Sequence, residues 1–305
     1  MRALRVRHVL DSAAGALVAS VCHYERHIVY PHTVTPTHNR DGTYEVYALR
    51  YATRASTKAQ EYFRYDVYGL PDEVQTMDYY FWVVRSGDRT VLVDCGFDRE
   101  RGLAKNRVQE TDPADLLGRL GIAPAGVDHV VISHMHFDHV GNLSLFPHAT
   151  FSITREEYEF WTGPYGGREL MRSIVDPLDV EAVQDLERQG RLHLVSEAEE
   201  IFPGVVVTPV GGHAPGLAIV EVAAASGQIV LATDAVHYYE AMERDRPIKL
   251  FADIGAVYRA YDLLRRLAQR PGTTVVPGHD PRVGIGFRSA RPNCIDLTAQ
   301  SSSGS

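Results

Sequence analysis

Apolar and polar positions divide the chain into short strands and helices. Tyr44–Tyr51 alternates and reads as a first strand. Tyr79–Arg85 and Thr90–Asp94 read as two more, joined by the hairpin signal Ser86-Gly87-Asp88-Arg89. The stretch 54–78 is polar with interspersed aromatic and sulfur side chains, Tyr62, Phe63, Tyr65, Tyr68 and Met77, and packing on the sheet is its default reading. A helix is punctuated by Asp112 as N-cap, Pro113 at N1, the stripe Leu116, Leu117 and Leu120, and Gly121 as stop. Val130-Val131-Ile132 is a short apolar run of the buried-strand type, and Ala149–Ile153 a strand leading into a helix near Arg155. Residues 162–178 are rich in Gly and Pro. Leu192–Val195, Val205–Val207, Leu217–Val222 and Gln228–Thr233 form a second run of strands. Ile254–Gln269 is a long helix with Val257, Tyr261, Leu264 and Leu267 on one face, ended by Pro271-Gly272 before the strand Thr274–Val276. This order supports a mixed α/β fold.

The ends carry less pattern. Residues 1–42 hold five histidines (His8, His23, His27, His32, His38) whose spacings fit no metal site. They read as a weakly structured extension rather than a signal peptide, because Asp11 interrupts the mildly apolar segment and no small-residue cleavage site follows. Residues 43–295 read as a single domain and 296–305 as a flexible tail. Of the 305 residues, 45% are hydrophobic and 23% charged, ordinary for a globular chain. The net charge of −8 disfavours nucleic acid and anionic membrane as partners. Cys22, Cys95 and Cys294 are too far apart for a Cys-x-x-Cys zinc site or a disulfide framework, so a reducing cytoplasm is the expected compartment. No apolar run approaches the ~18 residues of a membrane span.

Candidate chemistry is concentrated where the buried run ends. His134, His136, Asp138 and His139 occupy four of six positions directly after it. Imidazole and carboxylate are ligands for divalent ions such as zinc. His134 and His136, two apart on extended backbone, project to the same side. Three more ligand-type residues follow strands in the same way: His213 in a Gly/Pro-rich loop, Asp234 at the end of Ile229–Thr233, and His279 in Pro277-Gly278-His279-Asp280. Strand ends opening into loops are where α/β sheets place chemistry.

His134-x-His136-x-Asp138-His139, followed by His213, Asp234 and His279, resembles the metallo-β-lactamase-fold hydrolases, and among them most of all the N-acyl homoserine lactonase family. Val91-Leu-Val-Asp-Cys-Gly96 is similar to that family's Asp-Thr-Gly strand end, with Cys95 in place of Thr, and Thr154–Tyr158 resembles the segment after its metal loop. The similarity runs from about Tyr44 to about Arg288. It implies a four-layer αββα sandwich. It implies that His134, His136 and His213 hold one divalent ion, Asp138, His139 and His279 a second, and that Asp234 bridges them, the ions being zinc, or iron or manganese. It makes Asp138 the proton shuttle and Asp94 the residue that orients a ligand imidazole from behind.

The implied reaction is the opening of a lactone by a hydroxide bridging the two metals, with N-acyl homoserine lactone, hence quorum quenching, as one candidate. A thioester or other acyl ester hydrolase, an iron-dependent oxidoreductase, and a non-catalytic metal-binding or sensor protein are the alternatives. Expected partners are a small lactone or ester, and a homodimer is compatible. Accessory domains of the kinds found in nucleases and glyoxalase II-type hydrolases are not expected here, since His279 lies 45 positions after Asp234 and 26 residues follow it. One position departs from the pattern. Where well-known lactonases place a substrate-contacting tyrosine, three residues after the bridging Asp, this chain has His237, followed by Tyr238 and Tyr239. His237 is therefore expected to act on substrate, with Trp161, Tyr165, Tyr238 and Tyr239 as candidate pocket aromatics.

Overall fold

The structure is a computed structural model that describes residues 44–87 and 89–300. The expected extension, residues 1–42, and the last five residues lie outside the described residues. The strands are β1 (Glu45–Thr57), β2 (Val74–Ser86), β3 (Arg89–Val93), β4 (His129–Val131), β5 (Thr150–Thr154), β6 (Leu192–Val195), β7 (Glu199–Phe202), β8 (Val205–Pro209), β9 (Ala218–Ala224), β10 (Gly227–Thr233), β11 (Thr273–Pro277), β12 (Phe287–Arg291) and β13 (Cys294–Gln300). The helices used below are α1 (Pro113–Arg119), α2 (Arg155–Thr162), α3 (Pro177–Arg188), α4 (Tyr239–Glu243) and α5 (Ile254–Ala268).

Two sheets result. One has the order β12-β13-β1-β2-β3-β4-β5-β6, the other β11-β10-β9-β8-β7. Strands β3 to β6 run parallel, as do β10 and β11, while β1, β2, β12 and β13 pair antiparallel. The strand period of two sets the layers. Along β2, Tyr80, Trp82 and Val84 face a core shared with Val205, Val207, Val220, Val222 and Leu231 of the other sheet. Phe81 and Val83 point the opposite way, into a cluster with Leu116, Leu117 and Leu92. On the second sheet Val230 and Ala232 join Val257, Tyr261, Leu264 and Leu267 of α5. Helix, sheet, sheet, helix is the αββα sandwich.

Local signals explain the helices. Asp112 accepts from Ala114 N at 2.8 Å, Pro113 opens α1, and Leu116 and Leu117 are buried. Asp253 caps α5 through Ala256 N at 3.0 Å, and its four-residue stripe is buried throughout.

Three features differ from the sequence reading. β1 extends to Thr57 and β2 begins at Val74, so both ends of the polar stretch 54–78 are strand. α3, capped by Asp176 and opened by Pro177, lies mostly beyond the Gly/Pro-rich stretch, where no element is predicted. Residues 296–300, assigned to a tail, are the body of β13, whose Cys294, Ile295 and Asp296 pair with Leu49, Ala48 and Tyr47 of β1. The chain therefore does not divide into two consecutive halves: its last hairpin returns to the first sheet.

Candidate metal centre

Five strand ends converge on one edge of the sandwich. Asp94 follows β3; His134, His136, Asp138 and His139 follow β4; His213 follows β8; Asp234 follows β10; and His279 follows β11. Two groups form. The ligand atoms of His134, His136, His213 and Asp234 lie within 4.8 Å of one another, and so do those of Asp138, His139 and His279. Asp234 is central: Oδ2 lies 3.2 Å from His213 Nε2, 3.5 Å from His139 Nε2 and 3.7 Å from His134 Nε2, and Oδ1 lies 3.1 Å from His279 Nε2. Asp138 Oδ2 is 3.7 Å from His139 Nε2 and 3.9 Å from His279 Nε2.

Four of the five clustered rings, all but His136, are oriented from behind. His213 Nδ1–H donates to Leu250 O at 2.9 Å and His279 Nδ1–H to Asp78 O at 2.7 Å. A carbonyl can only accept, so the hydrogen sits on Nδ1, and Nε2 of the neutral ring turns its lone pair to the centre. His139 Nδ1 donates to Asp94 Oδ2 at 2.7 Å. His134 Nδ1 lies 2.9 Å from Ser133 Oγ, which donates to the same Asp94 oxygen at 2.8 Å. Asp94 Oδ1 accepts from Ser133 N at 2.8 Å. One buried carboxylate thus sets two rings, and it does so from left-handed backbone, φ 63°. Thr233, just before Asp234, is also left-handed, φ 47°. Such conformations persist where surrounding bonds over-determine them. Gly278 must lack a side chain, since a Cβ there would come within 2.6 Å of Asp234 Oδ1 and of Thr233 O.

The electrostatics suit cation binding. Burial holds His134 and His213 well below the ordinary imidazole range and His136 down at about 4, so their lone pairs are available at neutral pH. Burial acts on His139 and His279 in the same direction, but the carboxylates of Asp234 and Asp138 outweigh it and raise both. Asp234 is held well below its usual value, burial being overcome by His279, His237 and His139. His134 Nε2, His139 Nε2 and Asp234 Oδ1 are buried without a hydrogen-bond partner. Unpartnered nitrogens and a carboxylate oxygen turned to a common centre are what divalent ions require.

The sequence model of the metallo-beta-lactamase superfamily matches residues 77–279, about two thirds of the chain. The chain belongs to that superfamily. It is 32% identical over 183 residues, 56% of its length, to the N-acyl homoserine lactonase AttM of Azorhizobium caulinodans, and the match spans 65% of that protein, just under two thirds of its length. Among solved structures, a quorum-quenching N-acyl homoserine lactone lactonase has a TM-score of 0.67 at 20% identity, covering 83% of this chain and 99% of that one. AidC, a dizinc quorum-quenching lactonase solved with a product, N-hexanoyl-L-homoserine, has a TM-score of 0.66 at 18% identity, covering 87% and 97%. At these identities the likeness establishes the fold.

Within this metallo-beta-lactamase scaffold, Glu157 of α2 joins the loops. Fully buried, it accepts from Met135 N at 2.9 Å, between His134 and His136, from Gly216 N at 2.8 Å in the His213 loop, and from Trp161 Nε1 at 2.6 Å. Burial pushes its carboxyl up to about 7 against the pull of those three donors. Its segment stands out in the sequence but this role does not, because the two partners from other loops are backbone N–H groups. Cys95 donates N–H and S–H to His139 O, at 2.8 and 3.3 Å.

Two cavities open on the cluster. One, about 370 Å³, is lined by His136, Asp138, His213, Asp234, His237 and His279 together with side chains from β1, β2 and neighbouring loops. The other, about 360 Å³, shares His136 and His213 and is lined by Phe160, Trp161, Leu170, Met171, Ile174 and Phe251. His237 is buried, with Nε2 2.9 Å from Asp234 Oδ2 and both ring nitrogens without a hydrogen-bond partner. Asp234, His237 and His279 form a third possible ligand group. Of the expected pocket aromatics, Trp161 lines the apolar cavity, and the three tyrosines line neither. Tyr165 is exposed and packs on Phe160. Tyr238 is buried against Tyr62, its hydroxyl unpartnered. Tyr239 lies under the Arg282 guanidinium, 4.7 Å from its ring centroid. The chain turns into α4 immediately after His237, which rotates the two following side chains away from the cluster.

Proposed function

We propose that the chain is a dinuclear metal-dependent hydrolase that opens a lactone, with N-acyl homoserine lactone, hence quorum quenching, as one candidate substrate. The observation that carries this reading is the pair of adjoining ligand-type groups, with Asp234 of the first within 3.5 Å of His139 and His279 of the second, beside an apolar cavity that His136 and His213 line. His134, His136 and His213 would hold one ion, Asp138, His139 and His279 the other, and Asp234 would bridge; zinc is the proposed metal. When bound, two such ions polarise an acyl oxygen and bring water close to ionisation at neutral pH. The chain's own groups do the rest. Asp94 and Ser133 fix the rings of His139 and His134. Asp138, lining the cavity, takes a proton from the attacking water and passes it to the leaving oxygen. The neutral His237 ring, on the same cavity wall, donates N–H to the substrate's acyl oxygen.

The 2.9 Å approach of His237 to Asp234 favours a second role for it, as a further ligand. Metal content of His237→Phe separates the roles: retention supports the substrate role, loss of an ion the ligand role. We also propose a cytoplasmic setting, which the unpaired buried thiols Cys95 and Cys294 suit. Among the described residues, no helix is long and apolar enough to cross a membrane.

The deciding experiment is a hydrolysis screen of metal-loaded protein over lactones, thioesters, aryl esters and β-lactams. Lactones are expected to be turned over best. Thioester cleavage as the only activity would overturn the substrate assignment, and oxygen consumption by iron-loaded protein without hydrolysis would overturn the reaction.

A further inference from the structure

The larger cavity over the cluster is charged in a way that the proposed reaction does not use. Besides the ligand-type residues, its wall carries Arg54, Lys105, Arg107 and Lys249. Arg54 is matched by buried Glu61 at 2.6 Å. The other three make no ion pair among the described residues. Lys105 Nζ donates to Ser173 O at 3.0 Å and lies 5.1 Å from the Phe137 ring centroid. Arg107 Nε donates to Tyr79 OH at 2.7 Å, and its guanidinium otherwise meets backbone carbonyls. Lys249 is exposed on the rim. Three uncompensated cations therefore share one cavity in a chain of net charge −8. They come from separate segments, one from the loop after Arg99–Ala104 that holds both Lys105 and Arg107, the other from the loop after α4 that holds Lys249. The apolar cavity meets this one at His136, Ser173, Ile174, His213 and Leu250, so the cluster lies where a greasy wall gives way to a basic one.

Building on the hydrolase reading, we propose that the basic wall receives an anionic group of the substrate. The molecule hydrolysed is then an amphiphilic acid: a lactone or ester with an apolar arm on one side of the scissile carbonyl and a carboxylate or phosphate on the other. A fixed cation that loses little hydration on docking favours such a group through both encounter and binding. Hydrolysis adds one water across the acyl C–O bond and releases an acid and an alcohol. The opened product carries one more negative charge than the substrate and faces the same wall.

The test uses full-length, metal-loaded protein and three γ-lactones that share one apolar arm. One bears a carboxylate on its second arm, one a phosphate monoester, and one a primary amide. The expected result is a kcat/KM for an anionic lactone roughly tenfold or more above that for the amide, expressed mainly in KM and eroded by salt. The better of the two anions identifies the group. Lys249→Glu, at an exposed position, should lower the anion-to-amide ratio by roughly tenfold. An amide turned over as well as both acids, or a ratio that neither Lys249→Glu nor salt moves, overturns the proposal and leaves the hydrolase reading standing. If no lactone is opened, calorimetric binding of N-hexanoylglutamate decides: binding that weakens in Lys249→Glu supports the basic wall, and equal or absent binding overturns it.

Discussion

Replacing Glu157 with Gln should separate the stability of the fold from its hold on metal. Above pH 7 the buried carboxyl is ionised. Its rise from the ordinary 4.5 to about 7 means that the charged form costs roughly 3 kcal/mol relative to the protonated one. The amide removes that cost. It also turns an NH2 toward one of three N–H groups that now have a carboxylate to donate to, and a donor left facing a donor costs about 1–3 kcal/mol. The two terms nearly cancel, so the metal-free variant should unfold in urea at pH 8 within about 2 kcal/mol of the parent. Metal affinity has no such compensation. The carboxylate ties Met135, between two ligand histidines, to Gly216, three residues after a third. Losing one tie should weaken metal binding by about 10- to 100-fold, the usual effect of removing a group that orients ligands. The pH dependence supplies a second readout. The native carboxyl binds its proton more tightly than the unfolded one, so its contribution to stability is present at low pH and lost as pH rises from about 4.5 through about 7. The variant should lack that slope. Metal affinity unchanged by chelator competition, with a parent-like pH slope, would refute the reasoning.

Asp234→Asn removes the carboxylate charge that lies between the two ligand-type groups and should reduce bound metal from two ions to one per chain by elemental analysis, cutting turnover far more than substrate binding. His237→Phe should keep its metal and lose roughly tenfold to a thousandfold in kcat, the range for one oxyanion donor or general acid; unchanged kinetics with intact metal would make His237 a bystander. Leu264→Ala, in the fully buried stripe of α5, should destabilise the protein by about 2–5 kcal/mol in chemical unfolding while sparing metal stoichiometry.

The strands that lead into the His and Asp cluster were legible because two signals coincide at each: an apolar run and, a few residues on, a polar side chain of metal-binding type. α1 and α5 were legible because caps and stripes agree. α3 shows where such reading stops. Asp176 and Pro177 repeat the punctuation of Asp112 and Pro113, but only Val183 and Leu186 of its apolar residues are buried, too sparse a stripe to stand out after a Gly/Pro-rich stretch. β12 and β13 were obscured for another reason. A hairpin at the end of the chain gains meaning only from its distant partner β1, and no local pattern announces a pairing across some 250 positions. The tyrosines following His237 carried the right chemistry, and backbone direction, which residue type does not encode, took them elsewhere. Glu157 was masked by its position: an acid at the third position of a helix after Thr154 reads as ordinary capping, and only the fold reveals that its oxygens are spent on two other loops.

The late return of β13 to β1 bears on how the protein can be made. When synthesis has passed His279, every side chain of the metal cluster exists, yet the thirteen-residue β1 still lacks the neighbour that covers one of its edges. Until Cys294–Gln300 arrives, the stretch Tyr47–Leu49 of that edge lacks its strand partner, a short template for pairing with another nascent chain. A chain cut off after His279 would therefore hold every proposed ligand and still be more open to aggregation than the whole one.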